Sequence, residues 1–266
     1  GIIFYLVPDF SQINLTVAGN ALGQAFFSLS LGMGMLITYG SYIDDDNDII
    51  SSATLITLTD VGIAFLAGLI IFPFVFSSGI ETQGGPGLIF QVFPQIFEDL
   101  GGTTGIIIGS TFFILLSFAA ITSTVSLLEV PVSYLVDEFN IERKFSVWIV
   151  AVVILLIGIP SVFSQGKSIF FSEFITYFGA EKPIDFMQFI IDVSNDTLLP
   201  FGGFLITIFV AYVWKKKNLS EEISKGNPNY KGSLIEKYIN FSITYICPLI
   251  LGSIFLLTFL NKFFGI

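Results

Sequence analysis

The 266-residue chain contains no histidine and a single cysteine, Cys247. Without an imidazole there is neither histidine acid–base catalysis nor His-ligated zinc. One cysteine excludes an internal disulfide, and its place in the apolar run "ICPLIL" (246–251) reads as packing. Charge is scarce too: Asp, Glu, Lys and Arg make up 12% of residues, 11 basic against 21 acidic, for a net −10. A nucleic-acid surface needs clustered cations, so nucleic acid is excluded as a partner. Residue 1 is Gly and not Met, and no basic segment precedes the first apolar run. No secretory signal peptide is therefore expected, and the true beginning is expected to lie upstream.

What the chain does have is apolar length. It is 53% hydrophobic with 31 Phe, and its mean hydropathy is +0.85. Several runs reach about 20 residues with almost no charge, the length that crosses a bilayer as a helix. The fold class expected is all-α integral membrane, a single transmembrane domain over 1–266 with helices at about 17–43, 52–78, 103–136, 145–164, 186–214 and 238–261. The hydrophilic stretches "DDDND" (44–48), "DEFNIERK" (137–144) and "KKKNLSEEISKGNPNYKGSLIEK" (215–237) then share one side. They carry Arg143, Lys144, Lys215, Lys216, Lys217, Lys225, Lys231 and Lys237, against Lys167, Lys182 and Lys262 opposite. The positive-inside rule puts that basic side in the cytoplasm. On the other side, 81–102 is too short and too broken by Gly84, Gly85, Pro86, Gly87 and Pro94 to span, and is expected to lie as an amphipathic cap.

Within the first span, "FFSLSLGMGMLITYGSYI" (26–43) places Ser28, Ser30, Gly32 and Gly34 near mid-membrane. Each Gly costs a helix about 1 kcal/mol, and Ser competes for backbone hydrogen bonds, so the helix is expected to unwind over 28–34. Close packing through small residues is the other reading. Unwound backbone in a bilayer survives only where protein buries it or it lines a cavity, which makes the break a candidate solute site. Two acids also fall inside spans, Asp60 and Glu129. An intramembrane carboxylate is costly and normally has a partner or a function. In "AAITS" (119–123), Thr122 and Ser123 stand three and four residues from Ala119, so both hydroxyls approach its carbonyl, as cation ligands or by simple back-bonding.

Four segments in order carry a resemblance. "GQAFFSLSLGMGMLITYGSYI" (23–43), "AFLAGLIIFPFVFSSG" (64–79), "SFAAITSTVSLLEVPVSYLVDEF" (117–139) and "LLPFGG" (198–203) resemble the sixth, seventh, eighth and tenth helices of the neurotransmitter:sodium symporters, in particular their bacterial amino-acid transporters. The resemblance covers nearly the whole chain. It implies the second inverted repeat of the LeuT-type fold plus one extra helix, with a discontinuous first helix and with helices one to five missing.

The resemblance further implies sodium-coupled symport of an amino acid or related small amine by alternating access at the plasma membrane, with no cofactor beyond co-transported sodium. Ser28 matches a hydroxyl ligand of the first sodium, and Ala119, Thr122 and Ser123 match the second sodium site. Asp60 falls where the family often has an Asn serving the first sodium, and chloride-dependent relatives have a Ser where this chain has Ala64, so chloride independence is expected. Phe27, Ser30, Met33, Ser123 and Leu127 match the substrate pocket, with the substrate carboxylate at the break. Asp137 matches the carboxylate of the inner gate, Tyr42 lies in the same latch, and Asp192, with Asp196 as the alternate, matches the outer gate. The expected partners are sodium, an amino acid, lipid and the missing helices. Two other classes stay open: a non-transporting half-transporter acting as a membrane partner, and an intramembrane aspartyl protease built on Asp60 and Glu129, whose sequence context matches no catalytic motif.

Overall fold

The computed structural model describes residues 2–77, 87–166 and 168–265. Lys167 and the first part of the expected cap, 81–86, lie outside these. Among the described residues the structure is helical, apart from one antiparallel bridge between Ile175 and Ile184. The helices are α1 (Ile2–Leu6), α2 (Leu15–Ser28), α3 (Met35–Gly40), α4 (Ile49–Ser77), α5 (Phe93–Asp99), α6 (Gly102–Phe139), α7 (Arg143–Phe163), α8 (Ile169–Ser172), α9 (Phe186–Ile191), α10 (Leu199–Ile208), α11 (Lys216–Gly226), α12 (Leu234–Phe241) and α13 (Cys247–Phe264). Wider, π-helical turns precede α5 and join α9 to α10, α10 to α11 and α12 to α13.

Five helical stretches are long and apolar enough to cross a membrane: Ile49–Pro73, Gly102–Phe139, Arg143–Phe163, Phe186–Gly226 and Leu234–Phe264. The span at 17–43 is not among them because, as its serines and glycines lead one to expect, it is broken, into α2 and the six-residue α3. A difference from expectation lies in the basic stretch 215–237. Lys215 adopts φ 71°, which turns the chain, yet helix resumes at once as α11. The hydrophilic sequence hides this helix because its apolar positions are few.

The chain divides into two compact units, Gly1–Ile13 with Ile56–Ser126, and Asn14–Leu55 with Leu127–Ile266. In the first, Tyr5 stacks on Phe72 with ring centroids 5.0 Å apart. A Cβ at Gly68 would stand 2.3 Å from the Tyr5 ring, so only glycine lets the ring lie on α4. The described part of the cap packs down in the same way. Val92, Phe93 and Ile96 bury with Val75 of α4, and Phe93 meets Phe112 of α6 edge-on at 4.9 Å. Gly105 and Gly109 leave α6 bare where Phe97 lies against it.

The second unit is organised on α10. Phe201 lies 4.8 Å from Phe255 of α13, Gly252 admits the ring of Phe204, and Gly203 admits the ring of Phe26 from α2. At the far end of α11, Gly226 sits where any Cβ would overlap the Asn47 carbonyl. Lys225 pairs with Asp45 at 3.1 Å, and Asn227 donates to Asp48 at 3.0 Å. The acidic loop 44–48 is thereby tied to α11.

Candidate substrate and ion site and its gates

The break between α2 and α3 is a sequence of left-handed turns. Regular i to i−4 bonding runs to Leu29, whose N–H donates to Ala25, and returns at Thr38, whose N–H donates to Gly34. Between them Ser30 donates to Phe27 and Leu31 to Phe26, while Ser30, Gly32 and Gly34 take φ of 55°, 79° and 83°. Gly32 and Gly34 adopt those angles at low steric cost, having no Cβ.

The unwound chain lies directly on the backbone of α10. A Cβ at Gly32 would come within 2.5 Å of the Leu199 carbonyl and 3.1 Å of the Gly203 amide, and a Cβ at Gly202 within 2.8 Å of the Gly32 carbonyl. "LLPFGG" therefore supplies a flat, side-chain-free shelf. Both readings of the small residues hold here, since the helix unwinds and also packs closely.

Around the break, Phe27 is 48% exposed, and Ser30 and Met33 are half-buried. Ser28 ends α2 and has interaction partners of its own. Leu127 is exposed on α6. In the other unit, the Thr122 hydroxyl donates to the Ala119 carbonyl at 2.9 Å, and Ser126 donates to the Thr122 carbonyl at 3.0 Å. Ser123 is exposed on the same helix, and Asp60 lies half-buried in the middle of α4, where it too is engaged by neighbours.

The inner residues converge on Glu129. The Tyr42 hydroxyl donates to Glu129 Oε1 at 2.7 Å, and Arg143 Nη2 donates to Glu129 Oε2 at 2.6 Å. Glu129, an intramembrane acid expected to have a partner, is thus the acceptor that joins Tyr42 after α3 to the first residue of α7. Its side chain is 15% exposed, against 60% for Arg143. Asp137 is exposed near the end of α6. The signal was available: an acid inside an apolar helix calls for a cation, and Arg143 is the nearest one along the chain.

At the opposite end, Asp192 is 1% exposed and begins the π-helical turn before α10. Its Oδ1 accepts from Gln188 at 2.7 Å and its Oδ2 from the Tyr177 hydroxyl at 3.1 Å. Burial, and then the Asp192 charge, push the Tyr177 phenol far above its ordinary range, so it stays protonated and donates. Lys262 of α13 pairs with both Asp192 and Asp196.

The sodium:neurotransmitter symporter family matches residues 1–263. An uncharacterized sodium-dependent transporter of Bacillus subtilis is 36% identical over 256 residues, 96% of this chain and 54% of its own length. One from Haemophilus influenzae is 34% identical over 258 residues, 96% of this chain and 53% of its own. Among solved structures, MhsT in complex with L-phenylalanine superposes with a TM-score of 0.83 at 37% identity, covering 96% of this chain and 55% of that one. The chain thus spans about half the length of the relatives it matches. A helix broken in left-handed turns over a glycine shelf, in a helical membrane protein so closely superposable on MhsT and matched by the family over residues 1–263, has one assignment: the chain belongs to the sodium:neurotransmitter symporter family.

Proposed function

We propose that this chain supplies half of a sodium-coupled amino-acid symporter that works by alternating access and does not require chloride. The observation that carries the reading is the break at 29–34, seated on Leu199–Gly203. Unwound backbone in a membrane is stable only where it is buried or lines a cavity, and in secondary transporters such breaks hold the solute near the midplane. Ser28 and Asp60 serve one sodium, and the Ala119 carbonyl with Thr122 and Ser123 serves a second. Sodium favours oxygen ligands, and Thr122 already lies within 2.9 Å of the Ala119 carbonyl.

Phe27, Ser30, Met33, Ser123 and Leu127 line the substrate's place, with apolar side chains predominating, which suits an apolar amino acid. The relative solved with L-phenylalanine makes such substrates the first to test. The fixed carboxylate of Asp60 supplies the negative charge that chloride would otherwise provide. Tyr42 and Asp137 act at the inner gate, and the acids Asp192 and Asp196 at the outer one. The five helices that the resemblance places before this chain would complete the site.

The reading is tested with the full-length gene product in proteoliposomes, measuring uptake of each labelled amino acid under an inward sodium gradient, with potassium replacing sodium, and with or without chloride. Sodium-driven, chloride-independent uptake that is lost in Asp60→Ala and Ser123→Ala is the expected result. Folded protein that shows no sodium-dependent binding or uptake of any amino acid would overturn it, in favour of a non-transporting partner.

A further inference from the structure

The charged cluster at the start of the π-helical turn holds more than a single gate carboxylate. Lys262 stands in the last turn of α13, where a cation also meets the favourable end of the helix dipole. Its Nζ lies 2.7 Å from Asp192 Oδ1 and 2.5 Å from Asp196 Oδ2. The two acids are not equivalent. The side chain of Asp192 is 2% exposed, and both its oxygens are occupied, by Gln188 and Lys262 on one and by Tyr177 on the other. That of Asp196 is 38% exposed, with Lys262 on Oδ2. Its partners Gln188, Tyr177 and Lys262 all belong to the same unit as Asp192, and further protein packed here could only bury Asp192 more deeply. Asp196 is the acid with a face left to meet a cation from elsewhere.

We propose that Lys262 is a positioning residue of the outer gate: anchored by the buried Asp192, it holds the Asp196 carboxylate so that its open side receives the gate's cation. The cluster sums to one net negative charge, one lysine against two acids, so it still attracts a positive partner after its internal pairing is complete. A lysine with one acid would be neutral and would not. The inference rests on the transport reading above and assigns the outer-gate role to Asp196, with Asp192 as the fixed base beneath it.

The test uses the full-length gene product in proteoliposomes and the amino acid that gives the greatest sodium-driven uptake in the wild type. Asp196→Asn is expected to raise KM about tenfold, the scale of one lost ion pair of about 1.4 kcal/mol, as substrate escapes outward more readily. Lys262→Met alone would strand a buried acid and threaten folding, so it is paired with Asp192→Asn. That double variant keeps the interior neutral and is expected to fold, as judged by size-exclusion chromatography, yet to show a similar rise in KM because Asp196 has lost its anchor. Lys262→Arg is expected to keep KM within about threefold of wild type, since it retains the charge that holds Asp196. A folded double variant with wild-type KM and kcat would overturn the proposal and leave the lysine as a staple between helices. So would an Asp196→Asn variant with unchanged KM. If the wild type itself shows no sodium-driven uptake of any amino acid, the transport reading fails and the gate with it. Uptake by the wild type together with silent variants removes only the role of Lys262 and Asp196.

Discussion

A methyl group is the smallest change that probes the break. Gly32→Ala would place a Cβ 2.5 Å from the Leu199 carbonyl in a backbone with φ 79°, and is expected to cost about 1–3 kcal/mol. A thermal shift in detergent measures this. Gly62→Ala is the control, because its Cβ would meet open space within helical backbone, and it should be neutral or stabilising by up to about 1 kcal/mol. Equal losses at the two sites would show that the shelf contact is not what fixes the break. The Glu129 pair offers a second contrast at this scale. Arg143→Met leaves a carboxylate only 15% exposed with the Tyr42 hydroxyl as its remaining donor, and should cost about 1–3 kcal/mol. Glu129→Gln leaves an arginine 60% exposed, which water can serve, and should cost under about 1 kcal/mol. The reverse order would mean that the arginine, not the acid, is the sensitive partner.

Among the elements, the clearest test is the tie between the loop 44–48 and α11. Asp48 accepts from the Ile50 and Ser51 amides at the start of α4, from the Ser51 hydroxyl at 2.8 Å and from Asn227 at 3.0 Å. The Ser51 hydroxyl bond, with the backbone bonds and Asn227 behind it, holds its carboxyl below the usual range. A depressed folded-state pKa stabilises above the unfolded value of about 3.9, and that contribution disappears as pH falls through the folded value. Asp48→Asn is therefore expected to lower the melting temperature at pH 7 and to differ less and less from wild type as pH falls below about 4. A gap that stays constant from pH 7 to 3 would remove the carboxylate from the explanation.

The elements also show what could be read in advance. The break was legible because Ser and Gly in an apolar helix are costly, and their spacing marks the place, whereas "LLPFGG" was picked out only by the family resemblance. Helix α11 was not legible, because "KKKNLSEEISKG" reads as solvated loop until Gly226 meets Asn47, a contact some 180 residues distant along the chain. The role of Lys262 was hidden for the same reason. Its two acids lie 66 and 70 residues earlier, and only the packing of α13 against the turn before α10 brings them together.

The molecule as a whole leaves much apolar surface open. Ile106, Leu115, Leu155 and Leu249 are all more than half exposed, as lipid-facing or partner-facing helices must be. The chain spans about half of its relatives' length, and the isolated 266-residue chain is expected to give no sodium-driven uptake in proteoliposomes. Uptake by that chain alone would show that one repeat suffices for the cycle.

The left-handed turns at 30–34 have a consequence for how such a protein changes over generations. Side chains can be exchanged by single mutations, but a main-chain carbonyl or amide cannot be deleted by any of them. If the break is the binding place proposed above, its bare backbone therefore keeps its polar atoms while Phe27, Met33 and Leu127 drift. On the proposed reading, solute preference can then wander from lineage to lineage without loss of the backbone scaffold beneath it.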